Sequence, residues 1–461
     1  MVPDNGSTTV QPAGAQETAS DRSTREALIY VPGISNEAMN QSVEGISLHL
    51  AAAMDRYAKR GQAKFRVGEV REESLNGQGL TRVTTIFRED DGKQNPVLDV
   101  YKLEYSQFFQ KKLEEESLLR KILRIPVTIG PASVRLIHHF SNKALSNREK
   151  IQFLMVFLGL IILVLYAFLV LGAVVKIVQD VWAIRQGNTS QVVPAPQESK
   201  TSPAQESRVW YVKYSVKLWD FLKNSGTFLV VLLAALGLVL PKTDEIRQTI
   251  MQTATMILAV ISYHQQGERR GILSGQLLSL LEHIAEKQDI EYTRVNMLAY
   301  SFGSLIALDT LFPKGFETPE RVRTIHSLVT IGSPFDFVHM IWPRYFASRT
   351  PLPDLVWYNI YSPEDVLSSN FRSHSKSQSA RAGDVEPPSA DKRLADAQWL
   401  MPPTNIKYTL RNTDDELSIW DVIFLFGFRN HNKYWEAEKA AQVDAFDVAV
   451  PRMFKESLVL R

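Results

Sequence analysis

A junction between a strand pattern and a helix pattern carries the residue best suited to chemistry in this chain. In VNMLAYSFGSLIALDTLF, residues 295–312, an apolar run typical of a buried strand meets Ser301 and passes into a helical pattern. Ala299 and Gly303 lie two residues before and two residues after this serine. Small residues there permit a strained turn that pushes the serine Oγ outward while its backbone approaches neighbouring elements. The segment therefore predicts a nucleophilic serine at the tip of a sharp turn.

The helix after Ser301 supports the same chemistry. N–H groups at the amino end of a helix favour negative charge, which develops on the carbonyl oxygen during acyl transfer. A serine hydroxyl attacks well only when a hydrogen-bonded imidazole removes its proton and a carboxylate orients that imidazole. A serine that merely caps the helix is the alternative at this stage.

The elements that must position this serine alternate between strands and helices. Parallel sheets flanked by helices produce this alternation, and they place their chemistry at the carboxyl ends of the strands. The sequence therefore predicts an α/β fold with a mostly parallel sheet. The strands are expected at residues 27–31, 97–103, 295–300, 325–332, 355–361 and 406–410, and the helices at about 39–59, 272–286 and 303–311.

Ser301 in Ala-Tyr-Ser-Phe-Gly makes the chain resemble the α/β-hydrolase family of serine esterases and lipases. A second segment, IYVPGISNEA at residues 29–38, resembles the strand and loop that carry a His-Gly dipeptide in that family. Here the dipeptide is Pro32-Gly33, so the usual histidine is absent. The chemistry survives this change, because the group that the loop supplies is a backbone N–H.

The resemblance implies an oxyanion hole made from two backbone N–H groups. Phe302, directly after the serine, supplies the first, and Ile34 supplies the second. A tight turn that simply needs Gly33 is the alternative explanation for this loop.

The resemblance also implies an acid and a base, in the chain order Ser, Asp, His. Asp365 follows a predicted strand in WYNIYSPEDVLSS and takes the place of the acid, with Glu364 and Asp336 as competitors. His431 in FRNHNKYW takes the place of the base, since it alone among nine histidines follows the last predicted strand. Ser301 completes the expected catalytic triad.

Two apolar runs predict a membrane hairpin. Residues 151–175 contain no charged side chain and exceed the roughly 20 apolar residues that cross a bilayer. A second run at residues 225–240 is shorter, and it is expected to return the chain to the same side. The spans are predicted at about 151–178 and 225–241. Residues 249–263 contain polar side chains and are interpreted as a soluble core element, with a third span as the alternative.

The hairpin divides the predicted hydrolase domain into two parts. The first 25 residues contain no apolar signal segment, so the catalytic parts are expected to face the cytoplasm. The polar stretch 373–392 has the composition of a loop, and the sequence does not determine whether this loop forms a lid. The predicted order is a disordered tail at 1–25, a first hydrolase part at 26–150, the hairpin at 151–242 with a Pro/Ser-rich linker at 187–208, and a second hydrolase part at 243–461.

Composition excludes several other classes of function. The 461 residues contain 52 Lys plus Arg and 50 Asp plus Glu, so nucleic acid is not an expected partner. The absence of cysteine excludes thiolate metal sites and cysteine catalysis. No phosphate-binding Gly-rich loop and no His-Glu-x-x-His motif is present, so neither a cofactor nor a metal is expected.

These observations together predict an integral membrane serine hydrolase that cleaves a carboxylic ester or a lipid acyl chain. Its expected partners are the bilayer and that ester or lipid, while protein partners stay undetermined. A catalytically inactive, membrane-tethered interaction or signalling module with the same fold is the alternative. Finding the serine and the histidine on opposite sides of the fold would favour that second class.

Overall fold

A computed structural model describes the α/β part of the chain on both sides of the predicted hairpin. The described residues are 23–34, 42–58, 63–75, 79–105, 154, 157, 259–264, 267–342, 345–346, 349–371, 403–408, 430–435, 444–454, 457 and 459–460.

The strands of these ranges form one mixed sheet. It runs in the order β2-β4-β5-β1-β6-β7-β8-β9, with β3 paired to β4. β5, β1, β6, β7, β8 and β9 are mutually parallel, whereas β4 is antiparallel to β2, β3 and β5. The strands are β1 (Ser23–Val31), β2 (Lys64–Val67), β3 (Arg71–Ser74), β4 (Leu80–Asp90), β5 (Lys93–Lys102), β6 (Ile290–Tyr300), β7 (Ile325–Ile331), β8 (Val356–Tyr361) and β9 (Thr404–Lys407).

Helices flank this sheet, so the predicted α/β class with a mostly parallel sheet is confirmed. Short 3-10 turns lie at Glu320–Thr324 and Lys433–Trp435. The helices are α1 (Val43–Tyr57), α2 (Gly267–Ala285), α3 (Phe302–Leu311), α4 (Phe335–Ile341) and α5 (Ala445–Met453).

The sheet separates two hydrophobic cores because successive strand residues point to opposite faces. On β1, Ala27, Ile29 and Val31 belong to one core, whereas Leu28 and Tyr30 belong to the other. The first core also receives the buried residues of α2, α3 and α4, and the second receives those of α1 and α5. Apolar burial on both faces explains why the central strands have nearly continuous apolar sequences.

The strands that the sequence did not predict lie at the antiparallel edge. They are β2, β3 and β4, of which β2 and β3 have only four residues each, KFRV and REES, with mostly exposed side chains. REES contains no apolar residue, and the alternation in KFRV covers only four residues, the shortest run that indicates a strand. α5 was also missed, and Pro451 within its last turn is a residue that usually argues against a helix. Asp444 begins α5 with a capping box that includes Asp447.

The order of the central strands reverses between β1 and β6. β1 pairs with β5 on one side and β6 on the other, and Val31 lies opposite Ala299. A reversal of strand order of this kind is where open α/β sheets bind ligands. The loop that begins at Pro32 and the turn at Ser301 therefore leave the sheet side by side.

The described residues test only part of the predicted domain order. β1 begins at Ser23, so the predicted disordered tail extends three residues too far. Arg25 is held there by an ion pair of 3.0 Å with Asp99. Residues 259–263 are helical and mostly buried, which fits the core interpretation of their segment. The linker at 187–208 and the polar loop at 373–392 lie outside the described residues.

The predicted spans lie outside the described residues except at two positions. Leu154 and Phe157 are helical, and Phe157 packs against the first core. Among the helices that the structure describes, none combines the length and the apolar character needed to cross a bilayer. The membrane hairpin therefore stays a prediction.

Candidate active site

Ser301 occupies a sharp turn between β6 and α3. Its backbone has φ 51° and ψ −124°, a region that residues with a side chain rarely adopt. Its N–H donates to the Ile331 carbonyl at 2.9 Å and so extends the pairing of β6 with β7. Strained backbone of this kind persists only where the surrounding structure holds it in place, and it concentrates at functional sites.

Gly303 allows this turn to pack against the end of β1. A Cβ atom at this position would lie 2.8 Å from the Val31 carbonyl carbon and would overlap the carbonyl oxygens of Val31 and Pro32. Ala299 is fully buried in the first core. The requirement for a small residue two positions after the serine therefore has a direct steric cause.

The three predicted triad residues meet at this turn. Ser301 Oγ lies 2.6 Å from His431 Nε2, and His431 Nδ1 lies 2.8 Å from Asp365 Oδ2. An ionised carboxylate only accepts hydrogen bonds, so Nδ1 carries the imidazole proton and Nε2 is left to accept from the serine hydroxyl. Ser301 and His431 are 3% and 4% exposed, and Asp365 is fully buried. These bonds therefore form where water competes little.

Asp365 is held by further hydrogen bonds to both of its carboxylate oxygens. The Tyr434 hydroxyl donates to Oδ2 at 3.0 Å, and the Leu367 N–H donates to Oδ1 at 2.9 Å. The Ser362 N–H in turn donates to the Tyr434 hydroxyl at 3.1 Å. Burial, followed by the charge of Asp365, raises the pKa of Tyr434 well above its usual value, so the phenol keeps its proton.

The backbone of His431 is fixed by a second tyrosine. The Tyr300 hydroxyl donates to the His431 carbonyl at 2.5 Å, and the two rings stack with centroids 5.6 Å apart. Burial and then the charge of Asp365 raise the pKa of Tyr300, which therefore stays a donor. Nearby, the Asn430 side chain donates to the Glu364 carbonyl at 3.1 Å and joins the histidine loop to the acid loop.

Gly332, at the end of β7, completes the enclosure of the triad. Its φ of 58° is in the left-handed region that favours glycine. A Cβ atom there would lie 2.9 Å from Tyr434 Cε2 and 3.4 Å from both Asp365 Oδ2 and His431 Cε1. Sequence reasoning missed Gly332 and assigned no role to Tyr434 or Tyr300, although Gly332 is the last residue of a predicted strand and Tyr300 directly precedes the serine.

The Pro32-Gly33 loop lies where the predicted oxyanion donors would be needed. A Cβ on Gly33 would be 3.0 Å from Ser301 Cβ, so this loop borders the serine. The Tyr105 hydroxyl donates to the Pro32 carbonyl and anchors the loop. In the described part of the chain, the Ile34 N–H makes no hydrogen bond.

Phe302 is the first residue of α3, and the helix itself offers no acceptor for the N–H of its first residue. Its ring is buried in the first core beside Tyr105 and Tyr263, with centroid distances of 6.1 Å and 5.1 Å. The side chain thus anchors the turn from within the core. The oxyanion role of its N–H stays a prediction.

The two competing acids are not joined to the histidine. His431 contacts Ser301, Asp365, Tyr300 and Tyr434, and neither Glu364 nor Asp336. Asp336 lies instead in the first turn of α4.

Within the described ranges, no three His, Asp or Glu side chains are grouped as a metal ion would require. Models of known protein families, curated proteins and solved structures were all compared with the chain, and none of them matches it.

Proposed function

We propose that the protein is a serine hydrolase of the α/β-hydrolase type that cleaves carboxylic esters. The observation that carries this proposal is the continuous hydrogen-bonded chain from Ser301 Oγ through His431 to Asp365, with the serine in a strained turn. A catalytically inactive module has no need of such strain. The contact of 2.6 Å between serine and histidine therefore favours the enzyme over that alternative.

The geometry supports a two-step ester hydrolysis. His431 Nε2 takes the proton from Ser301 Oγ as that oxygen attacks the ester carbonyl carbon. The carbon–oxygen bond to the alcohol then breaks, His431 returns the proton to the departing alcohol, and an acyl-serine remains. Water, deprotonated by the same nitrogen, then attacks the acyl carbon. The bond from that carbon to Ser301 Oγ breaks, His431 returns the proton to Oγ, and the carboxylic acid is released.

The oxyanion that forms in both steps needs hydrogen-bond donors. The N–H groups of Phe302 and Ile34 belong to the two backbone segments that border Ser301, which supports them for this role. Such donors stabilise the tetrahedral intermediate because they are oriented before the reaction begins. The order of the triad along the chain and the position of the serine at the strand-order reversal agree with the resemblance noted in the sequence.

An active-site probe tests the proposed chemistry directly. A fluorophosphonate phosphonylates only a serine that is activated as a nucleophile, so the folded wild-type protein should be labelled, with the adduct on the peptide that contains Ser301. Ser301→Ala should abolish labelling. Ser274→Ala removes a serine of α2 that is not part of the triad, and it should leave labelling unchanged. A folded wild-type protein that is not labelled would overturn the proposal.

The substrate is proposed to be an apolar ester or a lipid, because the predicted hairpin would hold the enzyme at a bilayer. The two apolar runs support this location, with the catalytic parts facing the cytoplasm. Extraction of cell membranes with alkaline carbonate should leave the full chain in the membrane pellet. A variant that lacks residues 151–241 should move to the supernatant, and full-length protein in the supernatant would contradict the anchor.

A further inference from the structure

A cavity of about 810 Å³ lies at the end of the sheet opposite to Ser301. Its lining includes His326, Val356 and Thr404, which are the second residue of β7, the first of β8 and the first of β9. Ser301 instead follows the carboxyl end of β6. Because these strands are parallel, the cavity and the serine are at opposite ends of the sheet. The cavity is therefore a separate site, independent of the proposed hydrolase chemistry.

Two arginines line this cavity without a partner. Arg294 belongs to β6 and Arg452 to the last turn of α5, and both are half-buried. In the part of the chain that the structure describes, neither guanidinium forms a hydrogen bond, an ion pair or a ring contact. By contrast, the guanidinium of Arg25, also on the sheet, pairs with Asp99 at 3.0 Å. The described lining of the cavity contains no Asp or Glu.

Two cations that share a partly desolvated cleft repel each other unless an anion lies between them. The planar guanidinium fork suits phosphate oxygens, since it forms two parallel hydrogen bonds to them. A phosphate monoester carries close to two negative charges at neutral pH, which would balance both arginines. Tyr57, Tyr358 and Thr404 line the same cavity, and each has a hydroxyl group that can act as a neutral donor.

The cavity also has room for an organic group. Its volume is within the range of about 300–1,000 Å³ that is usual for small-molecule pockets. Val356, Pro451 and Met453 supply apolar lining, and the rings of Tyr57 and Tyr358 add aromatic surface. The geometry points to a binding site for an organic phosphate monoester, with its phosphate at the two arginines and its organic part against the apolar wall.

Calorimetric titration of the full chain with phenyl phosphate tests this site. Phenyl phosphate should bind more tightly than inorganic phosphate, because it adds aromatic contact, whereas phenol should not bind. The double variant Arg294→Gln/Arg452→Gln should weaken binding at least about tenfold, since it removes both charged donors. Arg321→Gln changes an exposed arginine of the neighbouring 3-10 turn and should bind as the wild type does.

Ser301→Ala should also bind phenyl phosphate as the wild type does, which separates this site from the triad. If the double variant does not fold, the single variants Arg294→Gln and Arg452→Gln are tested instead. Each should weaken the binding of phenyl phosphate about threefold. The site would be refuted by a folded wild type that does not bind phenyl phosphate, or by variants that bind it unchanged.

The phosphate monoester could be a soluble compound or the headgroup of a lipid. Dihexanoyl phosphatidate, a short-chain lipid monoester, and glycerol 3-phosphate distinguish these sources in the same titration. Tighter binding of the lipid, lost in the arginine variants, would assign the site to a membrane headgroup. Tighter binding of phenyl phosphate than of either glycerol compound would assign it to a soluble aromatic phosphate.

Discussion

The hydroxyl of Tyr434 donates a hydrogen bond of 3.0 Å to Asp365 Oδ2, the same oxygen that accepts from His431 Nδ1. We therefore expect Tyr434→Phe to lower kcat about fivefold to tenfold with little change in KM, because the carboxylate loses one of the donors that hold it. Steady-state hydrolysis of a chromogenic ester measures both constants.

A second phenol–carboxylate hydrogen bond provides the control for Tyr434. The Tyr292 hydroxyl donates to Asp99 Oδ2 at 2.6 Å, and Tyr292 precedes Ser301 by roughly 30 Å along β6, at about 3.3 Å per residue. Tyr292→Phe should lower stability and leave kcat unchanged. An equal loss of kcat in both variants would assign Tyr434 a purely structural role.

Replacement of the acid should remove most of the activity. Asp365→Asn replaces the acceptor of the His431 Nδ1 proton with an amide and favours the wrong imidazole tautomer, so kcat should fall about 10³- to 10⁴-fold. Glu364→Gln and Asp336→Asn change the two competing acids, neither of which contacts His431, and should leave kcat close to the wild-type value. A larger loss in either control than in Asp365→Asn would show that the acid is assigned wrongly.

A methyl group at Gly303 should disturb the turn itself. Gly303→Ala places a Cβ against the Val31 and Pro32 carbonyl groups, so we expect a loss of about 2 to 3 kcal/mol in the free energy of unfolding. Gly275→Ala, on α2, adds the same methyl group where no atom lies within 4 Å apart from its chain neighbours and the backbone of its own helix. It should stabilise by roughly 0.5–1 kcal/mol, as expected for alanine in a helix. Urea unfolding compares the two, and equal effects would contradict the steric argument.

His264 should make the fold sensitive to acid. Burial lowers the pKa of His264 from 6.5 to about 3, and its ring lies against Trp342 and Tyr345 with centroids 4.6 Å and 4.0 Å away. Between these two pKa values the unfolded chain binds a proton that the folded chain does not, so acidification through this range lowers the free energy of unfolding. The charged groups that act on its pKa are Asp309, Arg270 and Arg349.

His264→Phe keeps an aromatic ring and removes the proton site. It should therefore lose less stability than the wild type between about pH 7 and about pH 4.5 in urea unfolding. His49, on α1, lies beside Asp444 at the start of α5. His49→Phe should leave the acid sensitivity in place. Wild-type-like acid sensitivity in His264→Phe would assign that sensitivity to other groups.

The sequence alone indicated the α/β class, the serine turn and the candidate histidine, and it left Asp365, Glu364 and Asp336 open as the candidate acid. The apolar strand runs and the helical patterns are local features, and so is Gly303, two residues after the serine. These features can be recognised from short stretches of sequence, because they depend on local backbone conformation and side-chain periodicity. The strands β2, β3 and β4 were not predicted. β2 and β3 have only four residues each, and both pair with β4.

Only the tertiary structure decided which groups surround the triad. The loop after β8 places the side chain of Asp365, and not that of Glu364, within hydrogen-bond distance of His431, which lies 66 residues further along the chain. Tyr434 and Gly332 acquire their roles because β7, β8 and the histidine loop end at one place. The cavity at the other end of the sheet likewise brings Arg294 and Arg452 together from elements far apart in the chain. Such long-range contacts depend on the packing of the whole sheet, which no local pattern encodes.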